Sequence, residues 1–143
     1  PGGGTTDYAV DIFYSAVRGE TYVCPIAAGT FMPMMYMDDA VDAAFNLMTA
    51  DPAGLIHRNS FNVTAYSFDP EGIAAEIRRV IPYVNISGRT RVGYEVDTLR
   101  QGIAESWPDS LDDTAARSEW GWAPKVTLSD MTERMIAALR QRL

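Results

Sequence analysis

Apolar residues crowd the stretch from Tyr8 to Val17, at Tyr8, Ala9, Val10, Ile12, Phe13, Tyr14, Ala16 and Val17. That density predicts a helix packed on more than one side. Arg18-Gly19 then supplies a cation for its last turn and a glycine for its C-terminal cap. Tyr22 to Ile26 reads as a short strand, which Pro25 confines to an edge or a strand end. The run Phe31-Met32-Pro33-Met34-Met35-Tyr36-Met37, closed by Asp38-Asp39, predicts a buried strand leading into a capped helix from Ala40 to Ala50. Val41, Ala44, Phe45 and Met48 form its expected inward stripe, and Asp39 to Asp42 has capping-box spacing. Four methionines in seven residues suit either core filling or a malleable pocket wall.

Asp51-Pro52-Ala53-Gly54 breaks that helix, and Leu55 to Asn59 reads as a connector. Ser60 to Ala65 predicts a strand. Asp69-Pro70 then gives an N-cap with proline at the first helical position, ahead of a helix carrying Ile73, Ile77, Val80 and Ile81 on one face and stopping at Pro82. Val84 to Ser87 and Val92 to Val96 read as short strands around a Gly88 to Arg91 turn. Thr98 to Ser106 is ambiguous between helix and loop. Asp112 or Asp113 caps a turn from Thr114 to Glu119, and Thr127 opens a last helix with Met131, Met135, Ile136 and Leu139 inward. Strand, helix and strand in succession indicate an α/β class. With no repeat or low-complexity linker, residues 1–143 read as a single unit.

Composition narrows the function classes. A chain of 143 residues, 47% hydrophobic, is long enough to bury a core. No apolar run reaches the roughly 18 residues of a membrane span. A net charge of −7 without a basic block argues against a nucleic-acid partner. Cys24 is the sole cysteine and His57 the sole histidine. A disulfide framework, a cysteine metal cluster and a two-histidine metal site are therefore excluded, and a reducing cytoplasm is the expected compartment. A first residue other than methionine, in Pro1-Gly2-Gly3-Gly4, reads as a chain that begins inside a longer one.

The same opening carries the first candidate chemistry. Glycines bring bare backbone close to a neighbour, and Thr5-Thr6-Asp7 then reads as a helix start, with Thr5 or Thr6 as cap and Asp7 in the first turn. Such a start can hold a carboxylate or phosphate, or simply be a flexible loop with an ordinary cap.

Three segments resemble the C-terminal part of the extended short-chain dehydrogenase/reductases, the epimerase/dehydratase superfamily. They are Phe31 to Asp39, Phe61-Asn62-Val63 with the capped helix after it, and Asp112-Asp113 through Trp120-Gly121-Trp122 to Leu128-Ser129-Asp130-Met131. A narrower resemblance is to the short-chain type of L-threonine 3-dehydrogenase. It rests on Pro1 to Ala9, on Pro33-Met34-Met35-Tyr36-Met37-Asp38-Asp39 and on Arg100 to Pro108. The chain departs from that pattern around Ser87 to Arg91, where it carries extra residues. Nucleotide-sugar epimerases usually place an arginine ahead of the strand leading to the paired aspartates. Here that neighbourhood reads Gly29-Thr30-Phe31-Met32, with Arg100 as a possible partial substitute.

The resemblance implies an α/β fold, the C-terminal portion of a Rossmann-type dehydrogenase, with short strands and flanking helices. It implies NAD-dependent oxidation of the β-hydroxyl of L-threonine to 2-amino-3-oxobutanoate. No glycine fingerprint follows a strand, and Lys125, the only lysine, has Gly121 four residues before it, so the Tyr-x-x-x-Lys pair is absent. No catalytic residue is therefore expected in this chain, and the NAD-binding half and general base are expected upstream of Pro1. Gly2, Thr5 and Asp7 are the expected holders of the amino-acid substrate, with Met35, Tyr36 and Trp107 as walls or lid. No metal or cofactor ligand is expected here. The implied partners are L-threonine and the missing N-terminal half or a second copy, in a homodimer when full length. A nucleotide-sugar epimerase or dehydratase, or a non-catalytic binding module derived from the fold, are the alternatives.

Overall fold

The computed structural model describes residues 4, 6–82 and 92–142. Helix α1 spans Tyr8–Arg18, strand β1 Tyr22–Cys24, strand β2 Met32–Met34 and helix α2 Met37–Thr49. Strand β3 is Tyr66–Phe68, helix α3 Pro70–Val80 and strand β4 Val92–Tyr94. Helices α4 (Thr98–Glu105), α5 (Thr114–Trp120) and α6 (Leu128–Arg142) complete the order. β1 pairs with β4 in parallel, and β2 pairs with β3 antiparallel. Helices α1, α3 and α6 pack against one another, and α1 also lies on β1.

Spacing explains how those helices meet. Tyr8, Ile12, Phe13 and Ala16 lie on one face of α1 and are buried, as are Ile73, Ala74 and Ile77 of α3. Met131, Thr132, Ile136 and Leu139 do the same for α6. With Cys24, Ile26, Met32 and Phe68 they make the main core. Burying these side chains is worth about 1.5–3 kcal/mol for each large aliphatic or aromatic one, so this face holds the three helices together. α1 ends where Gly19 turns left-handed at φ 73, with Gly19 N–H on the Ala16 carbonyl and Glu20 N–H on that of Ser15. α3 starts as its sequence predicts: the Asp69 carboxylate accepts the Gly72 N–H at 2.8 Å, next to Pro70. The last helix has a reciprocal box between Thr127 and Asp130.

Several expectations are corrected. α1 is buried on one side only, since Val10 and Tyr14 are exposed. Its N-cap is Asp7, with no side-chain bond into the helix, rather than Thr5 or Thr6. α2 starts at Met37 after an uncapped Tyr36, and its expected stripe is inverted. Val41, Phe45 and Met48 are 59, 63 and 85% exposed, while Asp39 and Ala43 face inward. Asp39 makes no capping box because its carboxylate is used elsewhere. Ser60 to Ala65 forms no strand. A strand exists only with a ladder partner, and the backbone bond made in this stretch among the described residues is Ala65 N–H to the Met34 carbonyl. The ladder begins one residue later, at Tyr66. The later strand is shorter than predicted, Val92–Tyr94. Thr98–Glu105 resolves as helix, capped by Asp97 on the N–H groups of Leu99 and Arg100. The expected strand Val84 to Ser87, the turn after it and the departure at Ser87 to Arg91 lie outside the described residues.

Candidate functional site

Asp7 folds back on Gly4 at the start of α1. Asp7 Oδ2 accepts the Gly4 N–H at 2.9 Å, and Asp7 N–H reaches back to the Gly4 carbonyl. A Cβ at position 4 would stand 2.9 Å from Asp7 Oδ1, so a side chain there would displace the carboxylate. Asp7 is thereby tied to Gly4, and its second oxygen accepts no hydrogen bond among the described residues. Gly2 and Thr5, the other two expected substrate holders at this end, lie outside the described residues.

The remaining expected residues are dispersed. Met35 and Tyr36 are adjacent and half-buried but serve different cores. Met35 packs on a small cluster of Ala43, Ala116 and Trp122, and Tyr36 on the main core. The Arg134 guanidinium sits 5.7 Å from the centre of the Tyr36 ring, a cation–π distance. Trp107 follows α4 and is exposed, with its N–H on the Ala104 carbonyl. No hydrogen bond or ring contact among the described residues joins Asp7, Met35, Tyr36 and Trp107 to one another.

A cleft of about 560 Å³ opens elsewhere, beyond the carboxyl ends of β1 and β4, lined by Val23, Pro25, Glu95, Val96, Asp97, Thr98 and Arg100. Ligands in open α/β sheets bind at such strand ends. The parallel ladder continues into its floor through Glu95 N–H on the Cys24 carbonyl and Asp97 N–H on that of Pro25. Gln101, next to Arg100, ties down the loop between Ala27 and Thr30. Its Oε1 accepts the Ala27 N–H at 2.9 Å, and its Nε2 donates to Thr30 Oγ1 at 2.9 Å. Asp69, already the cap of α3, accepts the Gly29 N–H at 2.8 Å and ties down the same loop. Arg100 lies 3.7 Å from Asp97. Of the residues the sequence raised for ligand binding, Arg100 alone lines this cleft.

Acidic side chains outside the expected substrate site carry much of the architecture. Asp39, 1% exposed, accepts the N–H groups of Lys125 and Val126, each at 3.0 Å. Asp113 accepts from Arg117 and from Trp122 Nε1, and these bonds hold its carboxyl below the usual aspartate range. Glu119 accepts the N–H groups of Ile56 and His57 and pairs with His57 Nδ1. Burial alone would raise the Glu119 carboxyl, but the bonds from His57 and Ile56 outweigh it and lower the value. His57 is exposed, as expected of a connector residue, yet anchored. Tyr66, near Asp39 and Tyr36, is pushed up to about 12, mainly by burial. Among the described residues no group of His, Cys, Asp and Glu forms a metal site, and no helix is long and apolar enough to cross a membrane.

No protein-family model matches the chain. Curated relatives do. A Staphylococcus haemolyticus protein described as an uncharacterized epimerase/dehydratase is 50% identical over 99% of this chain, and a Staphylococcus aureus one is 49% identical over the same share. The chain spans 43% and 42% of their lengths. Among solved structures, L-threonine dehydrogenase from Clostridium difficile is 47% identical with a TM-score of 0.92, over 99% of this chain and 43% of that one. The GalE-like L-threonine dehydrogenase from Cupriavidus necator, in its holo form, is 47% identical with a TM-score of 0.89, over 97% and 43%. UDP-glucose 4-epimerase from Thermotoga maritima shares the fold alone, at 18% identity and a TM-score of 0.69. Across nearly its full length, then, this chain is a mixed α/β structure that covers part of the extended short-chain dehydrogenase fold and matches the GalE-like L-threonine dehydrogenases of that fold in sequence.

Proposed function

We propose that this chain is the substrate-side, C-terminal part of an NAD-dependent L-threonine 3-dehydrogenase, which oxidises the β-hydroxyl of L-threonine to give 2-amino-3-oxobutanoate. The observation that carries this reading is the 47% identity to two L-threonine dehydrogenases, against 18% to the UDP-glucose epimerase of the same fold.

This chain does not carry the glycine fingerprint or the Tyr-x-x-x-Lys pair that NAD-binding halves of this fold use. β1 runs into Pro25-Ile26 rather than a glycine fingerprint, and Lys125, the single lysine, places its Nζ 2.6 Å from Asp42 on the surface. The cofactor and the Tyr-x-x-x-Lys base are assigned to a further, N-terminal part of the enzyme, and residues 1–143 to one substrate-side unit. The task left to this part is positioning: a bound zwitterion held with its Cβ hydrogen correctly aimed. Asp7 offers the ammonium its second carboxylate oxygen, which accepts no hydrogen bond among the described residues. Gly2 and Thr5 offer backbone and hydroxyl groups to the carboxylate. Met35, Tyr36 and Trp107 supply apolar walls. A homodimer in a reducing cytoplasm completes the reading, and the lone Cys24, free and buried, fits the reducing compartment.

Joining this chain to the remainder of the enzyme and following L-threonine-dependent NADH formation tests the reading. The curated relatives, described as epimerase/dehydratase proteins, support a second one, a nucleotide-sugar epimerase or dehydratase. Conversion of a UDP-sugar without oxidation of L-threonine by the same protein would select it.

A further inference from the structure

Opposite charges act on Tyr22 from two helices. The chain reverses at Gly19, and α1 lies on β1, so the strand climbs back toward the first turn of that helix. Asp7 and Asp11 stand one helical turn apart on one side of α1. The Tyr22 ring is buried at the start of β1, and its hydroxyl makes no hydrogen bond among the described residues. Burial, the largest cause, pushes the Tyr22 phenol above its ordinary value, and the nearby Cys24, Asp11 and Asp7 add to it. Arg100 acts in the opposite sense. The hydroxyl therefore lies within electrostatic reach of two carboxylates on α1 and of a guanidinium on α4.

Arg100 keeps donors for a ligand. Its Nε stands 3.7 Å from Asp97, and its guanidinium donates no hydrogen bond among the described residues. Asp97 is itself engaged as the cap of α4, on the N–H groups of Leu99 and Arg100. Arg100 also lines the cleft at the ends of β1 and β4, whose floor is fixed by the Glu95 and Asp97 N–H groups on the Cys24 and Pro25 carbonyls. Backbone bonding thus steadies the segment that carries the guanidinium. Across Tyr22, Asp7 keeps one carboxylate oxygen without a hydrogen bond among the described residues. Together an acceptor, a phenol and a cation match the ammonium and carboxylate of an α-amino acid. A diphosphate would meet the acids Asp7, Asp11, Glu95 and Asp97 against the one guanidinium of the cleft, an unfavourable balance.

We infer that Arg100, with the Tyr22 hydroxyl beside it, holds the carboxylate of the amino-acid substrate across from Asp7 and makes the enzyme select a zwitterion. This rests on the reading of the chain as the substrate-side part of an L-threonine dehydrogenase. It adds a charged partner to the groups that Gly2 and Thr5 offer the same carboxylate. The test compares two substrates in the completed enzyme, L-threonine and 1-amino-2-propanol. The second keeps the hydroxyl and the ammonium and lacks the carboxylate. Arg100→Gln should lower kcat/KM for L-threonine about tenfold or more, because a charge-assisted contact is lost, and leave the amino alcohol within about twofold. Tyr22→Phe should act in the same direction, on L-threonine alone, by about threefold or more. Arg100→Lys should recover part of the loss, since the charge returns without the forked geometry. Where the amino alcohol turns over too slowly, its inhibition constant against L-threonine replaces kcat/KM.

Equal losses on the two substrates assign Arg100 a structural role and overturn the inference. L-Threonine kinetics within about twofold of wild type in Arg100→Gln overturn it as well. In both cases wild type still oxidises L-threonine, so the substrate reading stands. Wild type that leaves L-threonine unoxidised discards that reading, and the carboxylate site falls with it.

Discussion

Asp39 and Val126, 87 residues apart in sequence, meet through a 3.0 Å hydrogen bond from the Val126 N–H to the buried Asp39 carboxylate. The other carboxylate oxygen takes the Lys125 N–H. One side chain on the first turn of α2 thereby fixes the segment that leads into α6. The paired aspartates of the motif divide their labour: Asp39 is this internal tether, while Asp38 faces solvent beside Arg134.

Asp39→Ala removes the acceptor and leaves two backbone donors stranded. We expect a loss of about 2–4 kcal/mol in urea unfolding, from the cost of unsatisfied buried groups. Asp38→Ala, at an exposed ion pair, should cost less than about 1 kcal/mol. Equal effects of the two would remove Asp39 from its tethering role.

Glu119 makes stability depend on acid. Its folded carboxyl lies below the ordinary glutamate value of 4.5, so its contribution is present above that pH and is lost as pH falls through the lower folded value. Thermal melts should therefore show wild type above Glu119→Gln at pH 7, with the gap closing below about pH 4.5. A gap that widens on acidification has the wrong sign for this linkage.

Gly4→Ala drives a methyl against Asp7 Oδ1 and pushes the carboxylate off the Gly4 N–H. In the completed enzyme the KM for L-threonine should rise severalfold while the KM for NAD holds. The melting temperature should barely move, because Gly4 is exposed and the displaced group is a side chain.

Much of the fold is legible in the sequence wherever a local rule decides. Asp69-Pro70 caps α3, Gly19 ends α1, and the Thr127–Asp130 box opens α6, each by chemistry contained in a few residues. The reading failed where partners are remote. Apolar spacing points the α2 stripe inward, and the Asp39–Asp42 spacing makes Asp39 a cap. The helix turns the other way because its acid is claimed by Lys125 and Val126. Ser60 to Ala65 has strand composition without a partner to pair with. The cleft at the ends of β1 and β4 left little sequence signal, because its lining comes from strand ends far apart in the chain, Val23 and Pro25 on one side and Glu95 to Thr98 on the other. Asp7 was legible as a polar candidate, but its bond to Gly4 depends on loop geometry that spacing does not encode.

On the proposed function, Asp7 faces the ammonium of L-threonine. The direct measurement is kcat/KM for L-threonine in the completed enzyme, wild type against Asp7→Asn. The account predicts that wild type forms NADH from L-threonine. It also predicts that the substitution lowers kcat/KM about tenfold or more while leaving the KM for NAD unchanged, because a charge-assisted contact to substrate is lost. A value within about twofold of wild type, in an enzyme that still oxidises L-threonine, would contradict it.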